Sequence, residues 1–156
     1  MHAKFKPHHF LDFIYEMAEN GGVFDTYSPY GHVMGYYGNL LSAGKIDLVS
    51  FTTGADDACA PCKNLADGIC QDTLAPQDTA RHGFVRKYDY NMKLDTDLIA
   101  ALPEIFTPGK ERNIDEVYAR LSQKLTPEII LLNWERPNRV ELTLKGLEMA
   151  ITARKK

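Results

Sequence analysis

All three cysteines of this 156-residue chain fall in one stretch, DDACAPCKNLADGIC, residues 56–70. Cys59 and Cys62 are separated by two residues, a gap that lets a loop fold back and offer both sulfurs to one metal ion. Cys62 and Cys70 enclose seven more. Gly68 gives that return loop the backbone freedom it needs, and Pro61 stiffens the first turn. Three thiolates suit a zinc ion or an iron–sulfur cluster, and both ordinarily take a fourth ligand. The residues alone leave another reading open: a Cys59–Cys62 disulfide with Cys70 free, or three unconnected small side chains. A reducing compartment favours ligation.

The fourth ligand has to come from elsewhere, or its place stays open to substrate. His8 and His9 follow Pro7 at a helix start, and Asp12 lies four and three residues beyond them on the same face. A carboxylate so placed ligates directly or orients a ligating histidine. The same three residues also fit an ordinary polar surface. His32, glycine-flanked at a second helix start, is a weaker candidate ligand or a proton donor. Asp56 and Asp57 fit capping of the cysteine loop through side-chain bonds to backbone N–H groups. Tyr27, Tyr30, Tyr36 and Tyr37 either line a pocket or pack the second helix against the loop. Trp134 is expected in the core between the C-terminal helices, and His2 and His82 are expected at the surface.

The elements that must carry these groups can be read from periodicity. Pro7, then Phe10, Ile14, Met17 and Ala18, predicts a helix over 7–20, stopped by Gly21-Gly22. GHVMGYYGNLLSA predicts a second over 31–43, on which Gly35 and Gly38 permit close backbone approach. IDLVSFT, residues 46–52, is the clearest strand. Beyond the cysteine loop come a polar connection over 77–93 and a short helix at 94–102 closed by Pro103. Two capped helices follow, one behind Asn113 and one behind Thr126 running through Trp134, and a last helix spans 139–152. The fold class expected is α+β, an α-rich single domain over 1–156 with about six helices and a small strand component. Residues 1–76 form its metal-site half and 77–156 a helical half.

Bulk properties exclude several classes. A formal charge of −3 with no basic stripe argues against nucleic-acid binding. The longest apolar run, Ile129 to Leu132, is far short of the ~20 residues a membrane span needs. The first residues, MHAKFKPHHFLDF, lack a signal peptide's apolar core, so a cytoplasmic protein is expected.

KPHHFLDF followed by GADDACAPCKNLADGIC resembles a family of small bacterial and archaeal proteins, domain of unknown function 1284. The matching positions are Pro7, His8 and His9, then Asp56, Asp57, Cys59, Cys62 and Cys70, within the first half of the chain. The resemblance implies an iron–sulfur cluster and assigns no activity. Many members carry a cysteine where this chain has Asp12. The resemblance therefore implies that residue 12 faces the cysteine loop, so that Asp12 or the nearby His9 completes the site.

The leading expectation is thus an iron–sulfur protein, 4Fe–4S rather than 2Fe–2S. Cys59, Cys62 and Cys70 are its thiolate ligands, and the fourth comes from His8, His9 or Asp12. Its chemistry would be redox transfer with a partner, or Lewis-acid or sulfur chemistry on a small-molecule or thiol ligand. The alternatives are a structural zinc module used for interaction and a cysteine-dependent thiol enzyme.

Overall fold

Pro7 opens a helix over Pro7–Glu19 (α1), and the computed structural model, which describes residues 1–156, buries most of it. Phe10, Leu11, Phe13, Ile14 and Met17 are fully or almost fully enclosed. A strand over His2–Phe5 (β1) leads into α1 and was not expected from sequence. Only Ala3 and Phe5 of its four residues face inward, so half the segment reads as a polar tail. β1 pairs in parallel with Leu48–Phe51 (β2), from His2 opposite Leu48 to Phe5 opposite Phe51. A parallel pair needs a crossover; α1 and the helix Met34–Ser42 (α2) lie in it.

The second helix starts three residues later than expected, and its glycines act as the sequence indicated. A Cβ on Gly35 would strike the backbone of Asp25, and one on Gly38 the ring of Phe24. The cysteine loop contains a small hairpin, Leu65–Ala66 (β3) against Ile69–Cys70 (β4). Asp67 and Gly68 make its turn, both at positive φ (53° and 76°), the conformation for which Asp-Gly is favoured.

The C-terminal half holds more helix than expected: Pro76–His82 (α3), Lys87–Ala101 (α4), Pro103–Phe106 (α5), Ile114–Lys124 (α6), Pro127–Ile130 (α7) and Arg139–Arg154 (α8). Eight helices replace the expected six or so. Arg112–Asn113 (β5) completes the three-stranded sheet in the order β1-β2-β5. The caps read from sequence are present: Asn113 Oδ1 accepts from Asp115 N–H, and Thr126 Oγ1 from Ile129 N–H. The helix behind Thr126 ends at Ile130 and does not reach Trp134. α4 begins seven residues before Leu94 because its buried stripe, Tyr90, Asn91, Leu94, Asp95 and Leu98, includes two polar residues that break the apolar pattern.

α8 packs along α1 at backbone contact distance; a Cβ on Gly146 would fall onto the Ile14 carbonyl. One core of 25 buried residues runs from Ala3 to Ala150 and draws on both halves of the chain. The fold is α+β and helix-rich. Trp134 is not in that core. It joins a small satellite cluster with Leu74, Tyr90 and Leu94, and its Nε1–H donates to Asn91.

Candidate metal centre

Asp56 is the node of the site. It is 1% exposed and accepts three hydrogen bonds: from Lys6 N–H at 2.8 Å and His9 Nδ1 at 2.7 Å, both on Oδ2, and from Cys59 N–H at 3.0 Å on Oδ1. The bond to Cys59 is the loop cap expected from sequence. The other two tie that loop to the start of α1, some fifty residues away. Asp57 adds a second tie, accepting from Lys4 N–H at 2.7 Å. As a result His9 reaches the cysteine loop: Cys59 Sγ lies 4.0 Å from both His9 ring nitrogens.

The two neighbouring imidazoles are held in opposite states. Burial works against charge on His9, but the Asp56 carboxylate and the nearby Cys59 outweigh it and raise the His9 pKa to about 10. Burial also opposes charge on Asp56, and is outweighed by His9 and the Lys6 amide, so its pKa falls below the ordinary carboxylate value. For His8 burial prevails, helped by the charge of His9, and its pKa is lowered despite Asp95. Asp95 lies wholly inside the protein, and its Oδ1 accepts from both the His8 backbone N–H (2.9 Å) and Nδ1 (2.8 Å). A carboxylate only accepts, so Nδ1 of each ring carries a proton and Nε2 is turned to other use. The rings lie 4.4 Å apart, centroid to centroid.

Asp12 is engaged elsewhere. Its Oδ1 accepts from Arg139 Nη2 at 2.7 Å and from Asn133 Nδ2 at 3.2 Å, and Asn133 Nδ2 also donates to the His8 carbonyl at 3.1 Å. Of the three groups expected to complete the site, the fold brings His9 against Cys59, while Asp12 turns to Arg139 and His8 Nδ1 is held by Asp95.

One cavity of about 740 Å³ connects these parts. His8, His9, Asp12, His32, Cys59, Cys62 and Cys70 all line it. Cys62 is placed by the turn in which its N–H bonds to Cys59 O, and Cys70 by the hairpin register opposite Leu65. His9, Asp56 and Cys59 bring their ligand atoms within 4.8 Å of one another and can hold a metal ion. Cys62 and Cys70 line the cavity outside that compact group. A tetrahedral zinc with bonds of about 2.3 Å to sulfur and about 2.0 Å to nitrogen separates those atoms by about 3.6 Å. The 4.0 Å between Cys59 Sγ and His9 Nε2 is close to that span. All three cysteines are free thiols.

His32 stands on the cavity wall with its pKa lowered by burial and by His9 and Lys87. Of the four tyrosines, Tyr30 lines the cavity and its carbonyl accepts from Lys63 N–H of the cysteine loop; Tyr37 packs edge-on against Phe5. His2 bonds Ser50 across the parallel strands, and His82, expected at the surface, is half-buried and stacks on Tyr90. Sequence reasoning missed Asp95, Asn133 and Arg139 as supports of the site. The available signal was Asn91 and Asp95, four residues apart among apolar neighbours, since polar residues on a buried helical stripe must have partners.

No helix is long and apolar enough to cross a membrane. No protein-family model, curated protein or solved structure matches the chain.

Proposed function

We propose that this chain holds an iron–sulfur cluster on the wall of the cavity, with Cys59, Cys62 and Cys70 as thiolate ligands and His9 Nε2 as the fourth, the metal displacing the proton that Nε2 carries in the metal-free protein. The observation that carries the reading is the Asp56–His9–Cys59 arrangement, in a cavity that all three cysteines line. A carboxylate on the far nitrogen is the usual partner of a metal-bound imidazole, fixing its tautomer and its direction. The spread of the sulfurs favours a cluster over one ion. The three do not all lie within 4.8 Å of one another, whereas a tetrahedral zinc would draw them to about 3.8 Å. In a 4Fe–4S cluster each of the four ligands would serve one iron, and Cys59 and His9 would part beyond their present 4.0 Å to do so.

When bound, such a cluster supplies one-electron transfer, or Lewis acidity at an iron held by imidazole instead of thiolate. The chain's own residues do the rest. Asp56 holds the Nδ1 proton of His9. Asp95 does the same for His8, whose neutral ring offers an unshared Nε2 pair to the cavity. The cavity is of a size that takes a small molecule. The proposed setting is the cytoplasm, where the thiols stay reduced. The same residues carry our proposal of kinship with domain of unknown function 1284. The compact His9–Asp56–Cys59 group favours a second reading, a single zinc ion.

Anaerobic purification with iron, sulfide and zinc analysis separates the two. The cluster reading expects a brown protein with about four iron and four sulfide per chain, and loss of both in Cys62→Ser. One zinc without sulfide establishes the second reading. A protein that keeps its full metal content in Cys62→Ser overturns the ligand assignment.

A further inference from the structure

Lys6 is the one lysine the fold encloses. It is 4% exposed at the junction of β1 and α1, and it lines the cavity. Its ammonium makes no ion pair and no hydrogen bond within the chain. The other ion pairs in the protein involve Met1, His8, His9, Arg81, Arg86, Lys87, Lys93, Arg136, Arg139 and Arg154. Nor is that nitrogen among the polar atoms sealed from solvent without a partner. The small exposed remainder of the residue lies on the cavity wall.

A cation taken out of water is costly unless an anion meets it, and here the nearby carboxylates are committed. Asp56 is saturated by three donors, and its charge is matched by His9. Asp12 closes on Arg139, Glu16 on Arg136, and Asp72 stands 3.6 Å from Lys87. Glu19 and Asp25 sit at the exposed rim. The Lys6 charge is felt at Asp56, yet neither that carboxylate nor Asp78 of the cavity wall closes on the ammonium as an ion pair. Phe24, Leu74 and Trp134 supply apolar surface elsewhere on the same wall.

We infer that Lys6 is the recognition point for a small oxyanion ligand, a molecule bearing a carboxylate or phosphate group whose apolar body lies along the cavity. The inference goes beyond the metal centre and does not require it, since Lys6, Asp56 and the cavity wall are set by the fold alone.

The test titrates the purified full-length chain with inorganic phosphate and with benzoate by calorimetry, with and without prior metal removal by chelation. Saturable binding of at least one probe is expected in both forms. Lys6→Met should weaken it by about tenfold or more, the scale of a hydrogen bond to a charged group, and Lys6→Arg should retain part of it. Without ligand, Lys6→Met should melt at or above the wild-type temperature, because it removes an enclosed charge that lacks a partner. Failure of wild type to bind either probe, equal binding by wild type and Lys6→Met, or a ligand-free Lys6→Met that melts lower, each overturns the inference. Binding that is lost on chelation also overturns it, and assigns the anion to the metal. A chain that binds an anion but no metal sustains the inference while the metal reading fails.

Discussion

Replacing Asp56 by asparagine changes one oxygen to an amide nitrogen and removes one charge, in a place where neither change can be absorbed. Oδ2 serves two donors, Lys6 N–H and His9 Nδ1–H, and Oδ1 serves a third, Cys59 N–H. Whichever way the amide is turned, its NH2 meets at least one N–H, and the His9 imidazolium loses its counter-charge. Breaking a buried pair from one side costs about 3–5 kcal/mol. For a chain of this length that corresponds to roughly 6–20 °C in melting temperature, or more than about 1 M in the urea midpoint. The assay is urea unfolding of metal-free wild type and Asp56→Asn, followed by far-UV circular dichroism from pH 5 to 10.5. The sign of the pH effect follows from the two shifts. The His9 pKa is raised to about 10, so its contribution is complete below its ordinary value of 6.5 and fades as pH rises through about 10. The Asp56 pKa is lowered, so its contribution is present above its ordinary 3.8 and is lost as pH falls toward the depressed value. The gap between the proteins should be widest at pH 5 to 6.5 and narrow steadily toward pH 10. Equal midpoints at pH 6, or a His9 ring that titrates near 6.5 by NMR, would refute the reasoning.

Two further outcomes concern the frame that holds the site. Gly146→Ala places a methyl group on the Ile14 carbonyl, forcing α8 off α1; a loss of about 1–3 kcal/mol is expected in urea melts. Arg139→Met strands the buried Asp12 carboxylate and should cost about 3–5 kcal/mol, most of it recovered in Asp12→Leu/Arg139→Met. That recovery is expected because Arg139 Nε and Nη1 have no hydrogen-bond partners, so the native pair is itself imperfect.

Local chemistry was legible in the sequence, and distant pairing was not. Pro7, Asn113 and Thr126 signal helix starts through their own geometry, and each helix begins where they stand. Gly68 was legible as a point of backbone freedom, and it is where the hairpin of the cysteine loop turns. His8, His9 and the cysteines were visible as candidates because their types are few and clustered. That His9 meets Cys59 while Asp12 turns to Arg139 depends on residues 50 and 127 positions apart, and no local pattern encodes such a choice. β1 escaped for the same reason: a four-residue strand gains its identity only from pairing with β2. α4 was cut short because Asn91 and Asp95 occupy core positions, and the polarity that hid the helix is what secures Trp134 and His8.

The clasp that Asn133 and Arg139 place on α1 also sets an order of events during synthesis. Asn133 holds the His8 carbonyl and Asp12, and Arg139 closes on Asp12, so α1 is fixed by residues made 121 to 127 positions after those they hold. At roughly 5–20 residues per second, the ribosome completes Cys70 about 3–14 s before it reaches Arg139. Through that interval the nascent chain displays three thiols while the helix that carries His9 is tied only through Asp56 and lacks its clasp. A chain paused there is exposed to oxidation and to capture of adventitious soft metals. Correct loading of the site therefore waits until α8 has docked on α1.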